Sequence, residues 1–238
     1  MSERGRPTRG GVHSPEFEAF GCEGSAAAIH RQEILIDALG DGHVQFDMHD
    51  GVMTVGGDRT FHGTTLLGSF SHLPRTWLWL WENPHFDLTL PAFSRVREIR
   101  EFGRRRRIPE FATGHQDFSG FPDPYQAATT MVIAAAALLG GNGVHAYRVN
   151  DGQGSAFLHV DDPRLPADAF PRLDAARLIM RAIEVFPADH RRVVRGFAAH
   201  YGFRIRESGA VIDGRHADGH GLTAGFTADG LLDHVTVN

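Results

Sequence analysis

The sequence predicts an α+β protein: a largely antiparallel sheet with packed helices, plus a small β-rich region near the C-terminal end. Three observations predict it. Short strand-like runs pair across Gly-containing turns, as His43–Met48 and Val52–Val55 do across His49-Asp50-Gly51. Helix-like runs separate groups of strands rather than following every strand, so a parallel β-α-β sheet is not indicated. All three tryptophans, Trp77, Trp79 and Trp81, alternate with Leu78 and Leu80, the period of an extended strand.

Residues 1–24 are polar and Gly-rich and predict a flexible tail ahead of a single domain over 25–238. Ser25 is a candidate N-cap for a helix running to Leu39, with Ile29, Leu35, Ile36 and Leu39 on one face and Gly40 as the stop. After the first hairpin, Phe61–Phe70 and Thr76–Glu82 read as strands joined across Ser71-His72-Leu73-Pro74. Pro91 opens an amphipathic helix carrying Phe93, Val96, Ile99 and Phe102, which Gly103 ends. Arg104–Arg107 then complement a helix dipole in solvent. Glu110–Phe118 reads as extended.

Asp123 is a good N-cap, Pro124 fits the first helical position, and Gly140-Gly141 ends the run. The helix between them is small and apolar nearly all round, which predicts burial on most sides. Val144–Val149 and Ser155–Val160 form a second hairpin. Pro163 to Pro171 reads as a linker, so a boundary is possible there. Pro171 starts a helix that Pro187 interrupts, and a second helix ends at Gly202. Short strands follow over Phe203–Arg206, Ala210–Ile212, Leu222–Thr227 and Leu231–Val237.

Composition excludes several chemistries. All 24 Lys+Arg residues are arginine, so a pyridoxal-phosphate Schiff base, an aldolase-type lysine and a P-loop nucleotide site are ruled out. No cofactor is expected. The lone Cys22 permits no intrachain disulfide and no cysteine-rich zinc site, which suits the reducing cytoplasm. A net charge of −5 argues against general affinity for nucleic acid. No signal-like stretch opens the sequence, and no apolar run is long enough to span a membrane. No G-x-S-x-G, H-E-x-x-H or G-x-G-x-x-G motif is present in the required context.

Three features carry candidate chemistry. Trp77, Trp79 and Trp81 share one strand face and form either a core stripe or the aromatic wall of a ligand pocket, with Asn83 at its end. His62 and Glu82 are the candidate acid–base pair beside that wall, with His72 in the following loop. His216, Asp218 and His220 alternate in a Gly-rich stretch and could clip a divalent ion, although a solvated turn explains them as well.

The segment from Phe61 to Phe70 followed by Thr76–Pro84 resembles an uncharacterised bacterial family, domain of unknown function 6882. The shared pattern is the Trp-x-Trp-x-Trp strand with Asn83, a helix ending at Arg100–Gly103, an Ala-rich helix over Ala127–Leu139 and the pair Tyr147-Arg148. The sequence departs from the pattern at Leu80 and Glu82. The resemblance implies a bacterial cytosolic origin and a shared fold over residues 43–160; it assigns no catalytic residue.

Three functional classes follow from the sequence. The first is a non-enzymatic binding protein, immunity-like or accessory, that captures a protein or small molecule. The second is a small enzyme with a Trp-walled pocket using His62 and Glu82. The third is a histidine-dependent metal protein.

Overall fold

In the computed structural model, which describes residues 11–86, 90 and 93–238, six helices and three antiparallel sheets build an α+β fold. Helix α1 (Pro15–Leu39) lies at its centre and packs against α4 (Pro124–Leu139), α5 (Ala175–Val185) and α6 (His190–His200). Its N-cap is Ser14, whose hydroxyl accepts from Phe17 N at 3.2 Å, and Pro15 fills the first helical position. Ser25 is therefore a buried mid-helix residue, and the helix starts eleven residues earlier than expected. The expected tail over 1–24 is corrected with it for residues 15–24, which belong to α1, with Phe17 and Cys22 fully buried; residues 1–10 lie outside the described part.

Small residues make this central position possible. A Cβ on Gly196 of α6 would lie 2.0 Å from the Glu23 carbonyl oxygen of α1, so the two backbones nearly touch. Glycine is the residue that permits such an approach. Ala26, Ala27 and Ala28 of α1 and Ala134 and Ala135 of α4 are likewise buried, and they leave room for neighbouring helices.

The first sheet is a meander of β1 (Val44–Asp47), β2 (Val52–Val55) and β3 (Arg59–Phe61). The second has five strands in the order β6-β5-β4-β8-β7: β4 is Thr65–Ser71, β5 Thr76–Trp79, β6 His115–Asp117, β7 Gly143–Val149 and β8 Gly154–Val160. Both hairpins read from the sequence are present. Tyr125 of α4 lies over Phe70 and Phe157, with ring centroids 5.5 and 6.0 Å away, which seats that helix on the sheet.

Two further elements differ from expectation. Helix α2 (Ser94–Arg106) runs past Gly103, because that glycine is where α3 (Pro109–Ala112) crosses: a Cβ there would sit 2.6 Å from the Phe111 backbone. The left-handed Arg107 ends α2 instead, and Arg104–Arg107 are exposed. The proposed start at Pro91 lies outside the described residues. Part of the extended Glu110–Phe118 segment is helical, since Pro109 fits the first position of α3.

The C-terminal sheet has the order β12-β11-β10-β9, with β9 at Arg204–Ser208, β10 at Val211–Arg215, β11 at Gly221–Phe226 and β12 at Leu232–Val237. Ile212, Leu222, Ala224 and Phe226 are buried on its inner face, where α5 touches β12 and α6 touches β9. The alternate residues form an outer face.

Candidate functional site

The tryptophan stripe is core. Trp77 and Trp79 are 0% exposed and Trp81 is 7% exposed. Strand β5 stops at Trp79, and a 3-10 turn over Leu80–Glu82 breaks the alternation. The turn swings Trp81 back onto Trp79, where the rings stack at 4.7 Å with an interplanar angle of 11°. Trp77 meets Trp79 edge-on at 5.0 Å and Phe157 at 5.1 Å. The indole N–H of Trp79 donates to the Glu110 carbonyl at 2.9 Å. The N–H groups of Trp77 and Trp81 are buried without a partner among the described residues. Gly68 on β4 makes room for this cluster, since a Cβ there would fall 2.8 Å from the Trp77 ring. Rings so enclosed present no wall to a ligand.

His62 and Glu82 are not brought together as a catalytic pair. His62 lies just after β3, exposed, and its backbone N–H donates to Asp162 at 2.8 Å. Glu82 is exposed, with its stem against Gly114. Asn83 serves the turn: its side-chain oxygen accepts from His85 N at 3.1 Å, and its own N–H donates to Leu80 O at 3.0 Å.

His72 has a partner that the sequence did not suggest. Its Nε2 lies 3.0 Å from Ser155 Oγ and also contacts Arg148. Partial burial and the Arg148 charge hold the imidazole below its usual pKa, which favours the neutral ring. Although a Ser–His contact is the first requirement of a nucleophilic dyad, Ser155 is 1% exposed. The pair ties the β4–β5 turn to the hairpin. Only the antiparallel pairing of β4 with β8 reveals this contact, which is why sequence reasoning missed Ser155.

His216, Asp218 and His220 do meet, through Asp218. One carboxylate oxygen lies 2.5 Å from His216 Nδ1, and the other lies 3.6 Å from His220 Nε2. His216 lowers the pKa of Asp218 by hydrogen bonding. Both imidazoles pack near Phe170, at 5.4 and 5.8 Å. Among the described residues, no group of three or more His, Cys, Asp or Glu side chains is arranged to hold a metal ion.

Several recesses among the described residues contain polar groups. A cleft of about 200 Å³ lies between α1 and the segment after β8, lined by Arg31, Asn142, Asp161, Asp162 and Asp168 among others. Its charges are already matched. Asp168 accepts from Arg31 at 2.7 Å and contacts His200 at 2.7 Å. Asp161 pairs with Arg95 at 2.8 Å. Asp162 is bound by Arg164 at 2.5 Å, whose hydrogen bonds hold its carboxyl far below the usual range.

A second recess is a groove of about 640 Å³ on the outer face of the C-terminal sheet, with Arg204, Arg206, Asp213, Arg215, Thr223 and Asn238 among its lining. Register places these side chains together. Arg204 stands opposite Arg215, and Arg206 opposite Asp213, which in turn stands opposite Thr223. Thr223 Oγ1 donates to Asp213 at 2.9 Å. Among the described residues, no carboxylate pairs with Arg204, Arg206 or Arg215.

Fold and sites together define an α+β protein with a closed aromatic core and an open polar sheet face. The chain belongs to the Family of unknown function (DUF6882), whose profile matches residues 18–163, well over half of it. The match ends before the C-terminal helices and sheet. No curated protein and no solved structure matches the chain.

Proposed function

We propose that this chain is a non-enzymatic binding protein, an immunity-like or accessory factor of the bacterial cytoplasm, which holds its partner against the outer face of the C-terminal sheet. One observation carries this reading: the groove of about 640 Å³ lies on that outer face, opposite the helix-packed one, with side chains exposed along it. Binding sites require such accessible relief. The alternative enzyme loses its main support, because its aromatic wall is buried and His62 and Glu82 are unpaired with each other. The metal-dependent alternative is weakened because Asp218 is already engaged by the His216 ring at 2.5 Å. No helix among the described residues is long and apolar enough to cross a membrane.

Site-directed photo-crosslinking in cells tests this. A benzophenone side chain at Thr236, on the outer face, should capture a discrete partner. The same group at Met180, exposed on α5, should not. A purified chain that turns over a substrate, and loses that turnover on His62→Ala or Glu82→Gln substitution, would refute the proposal.

A further inference from the structure

We infer that the outer face of the C-terminal sheet recognises an extended acidic segment of a partner protein, one with carboxylates at alternate positions. The inference rests on the binding reading above and supplies its chemistry. Directly opposed like charges on neighbouring strands are unfavourable, yet Arg204 faces Arg215. Elsewhere arginines are commonly neutralised: Arg31, Arg95, Arg164, Arg177, Arg192 and Arg195 each bind a carboxylate. Asp213, the acidic side chain among the groove's described lining, is turned aside. Asp213 stands opposite Arg206 but is bonded to Thr223 instead.

This uncompensated charge is arranged for use. Arg204 and Arg206 project from the same side of β9, roughly 7 Å apart along the strand. Side chains at alternate positions of an extended peptide have the same spacing. A guanidinium presents a planar fork that matches a carboxylate in two hydrogen bonds. Arg215 adds a third fork across the strands. Its guanidinium reaches to within 3.6 Å of where a Gly221 Cβ would stand, and the Asn238 side-chain oxygen, which accepts from Gly221 N at 3.1 Å, lies nearer still at 2.5 Å, so glycine makes room for both side chains.

A nucleic acid suits the face less well. Single strands bind through aromatic rings that stack on bases, and the residues of this face are Arg, Asp, Ser, Val, Thr, Gly, His and Asn, with no Phe, Tyr or Trp. Asp213 and the net charge of −5 also oppose a dense phosphate backbone. The Arg104–Arg107 run is a different case. It caps a helix in solvent, and Arg105 and Arg106 rest on the Phe102 ring.

Fluorescence anisotropy with the full chain tests the inference. The probe is a labelled alternating Glu-Thr peptide of about eight residues, at ~50 mM salt to limit screening. The comparators are the same peptide with Gln for Glu and a single-stranded oligonucleotide of similar length. The Glu peptide should bind about ten-fold or more tightly than the Gln peptide. Arg204→Gln and Arg215→Gln should each weaken it several-fold, and Arg105→Gln should leave it unchanged. Removing either opposed arginine should also hold or raise the melting temperature, which separates lost recognition from lost folding.

No binding of the Glu peptide, equal binding of the Gln peptide, or indifference to the arginine substitutions would each overturn the inference. Tighter binding of the oligonucleotide, lost with the same substitutions, would reassign the face to nucleic acid. The crosslink at Thr236 distinguishes the two levels of failure: a captured partner with no acidic-peptide binding sinks this inference alone, whereas no captured partner sinks the binding reading itself.

Discussion

Ser14 donates through its hydroxyl to Glu110 at 2.7 Å and through its backbone N–H at 2.6 Å, joining residues ninety-six positions apart. The contact fixes the start of α1 to α3, and Glu110 is 3% exposed.

The first prediction concerns this anchor. Burial works to raise the Glu110 pKa, but hydrogen bonds from His13 and Ser14 outweigh it and hold the carboxyl below its ordinary 4.5. A depressed carboxyl contributes stability that is fully present above the unfolded pKa and is lost as pH falls through the folded value. Replacing Glu110 with Ala should cost about 3 kcal/mol at neutral pH. With Glu110→Gln, the difference from wild type in urea midpoint should narrow as pH drops below 4.5. A constant difference down to pH 3 would count against the anchor.

His159 should dominate the mildly acidic range. It is fully buried, its Nε2–H donates to the Gly140 carbonyl at 2.7 Å, and burial pushes its pKa down to about 4. The unfolded state takes up a proton near pH 6.5 that the folded state refuses. Stability should therefore be complete above 6.5 and fall between 6.5 and 4, by on the order of 3 kcal/mol. The folded His159→Gln protein should show a flatter pH dependence in the same denaturation series. An unchanged slope would assign the acid sensitivity to other groups.

Trp77 and Trp79 are neighbours with different debts to their N–H groups. Trp79 donates to Glu110 O, whereas Trp77 has no partner among the described residues. Both lose similar ring volume on substitution by Phe. Trp79→Phe should be more destabilising than Trp77→Phe by about 1 kcal/mol. The loss is limited to one bond because Gln116 still donates to the same carbonyl at 2.6 Å. Equal effects in chemical denaturation would show that the bond contributes nothing net.

Gly196 offers a test of helix proximity. Alanine in a helix interior is ordinarily better than glycine by up to about 1 kcal/mol. Here the new methyl group would sit 2.0 Å from the Glu23 carbonyl oxygen, so α1 and α6 must separate. Gly196→Ala should lower the melting temperature by on the order of 5 °C, reflecting about 2 kcal/mol of net overpacking. A rise in melting temperature would mean that α6 can shift freely.

Local signals made much of the fold legible. Asp123-Pro124 and Gly140 bracket α4 at the expected positions, and Gly-containing turns marked both hairpins. Ser14-Pro15 carries the same kind of start signal, but Gly21 and Gly24 made the segment resemble a loose tail. Those glycines are needed because Phe186 and Ala137 press against α1 there. The stack of Trp81 on Trp79 depends on a 3-10 turn held by tertiary packing, so strand alternation could not reveal it. Arg204 and Arg206 occupy alternate positions of β9 and Arg215 ends β10, but sequence reading did not single them out. Their opposition across β9 and β10 is a property of register, which one strand alone does not express.

Helix α1 contacts α4 and β7 of the family-matched region as well as α5 and α6 beyond it. Arg31 of α1 also grips Asp168 in the segment between the two, at 2.7 Å. Force applied to the C-terminal sheet would consequently be carried by a buried axle as well as by the 163–171 connector. The outer sheet face is mechanically coupled to the aromatic core, and stripping one from the other would require pulling Phe17, Leu35 and Leu39 into water.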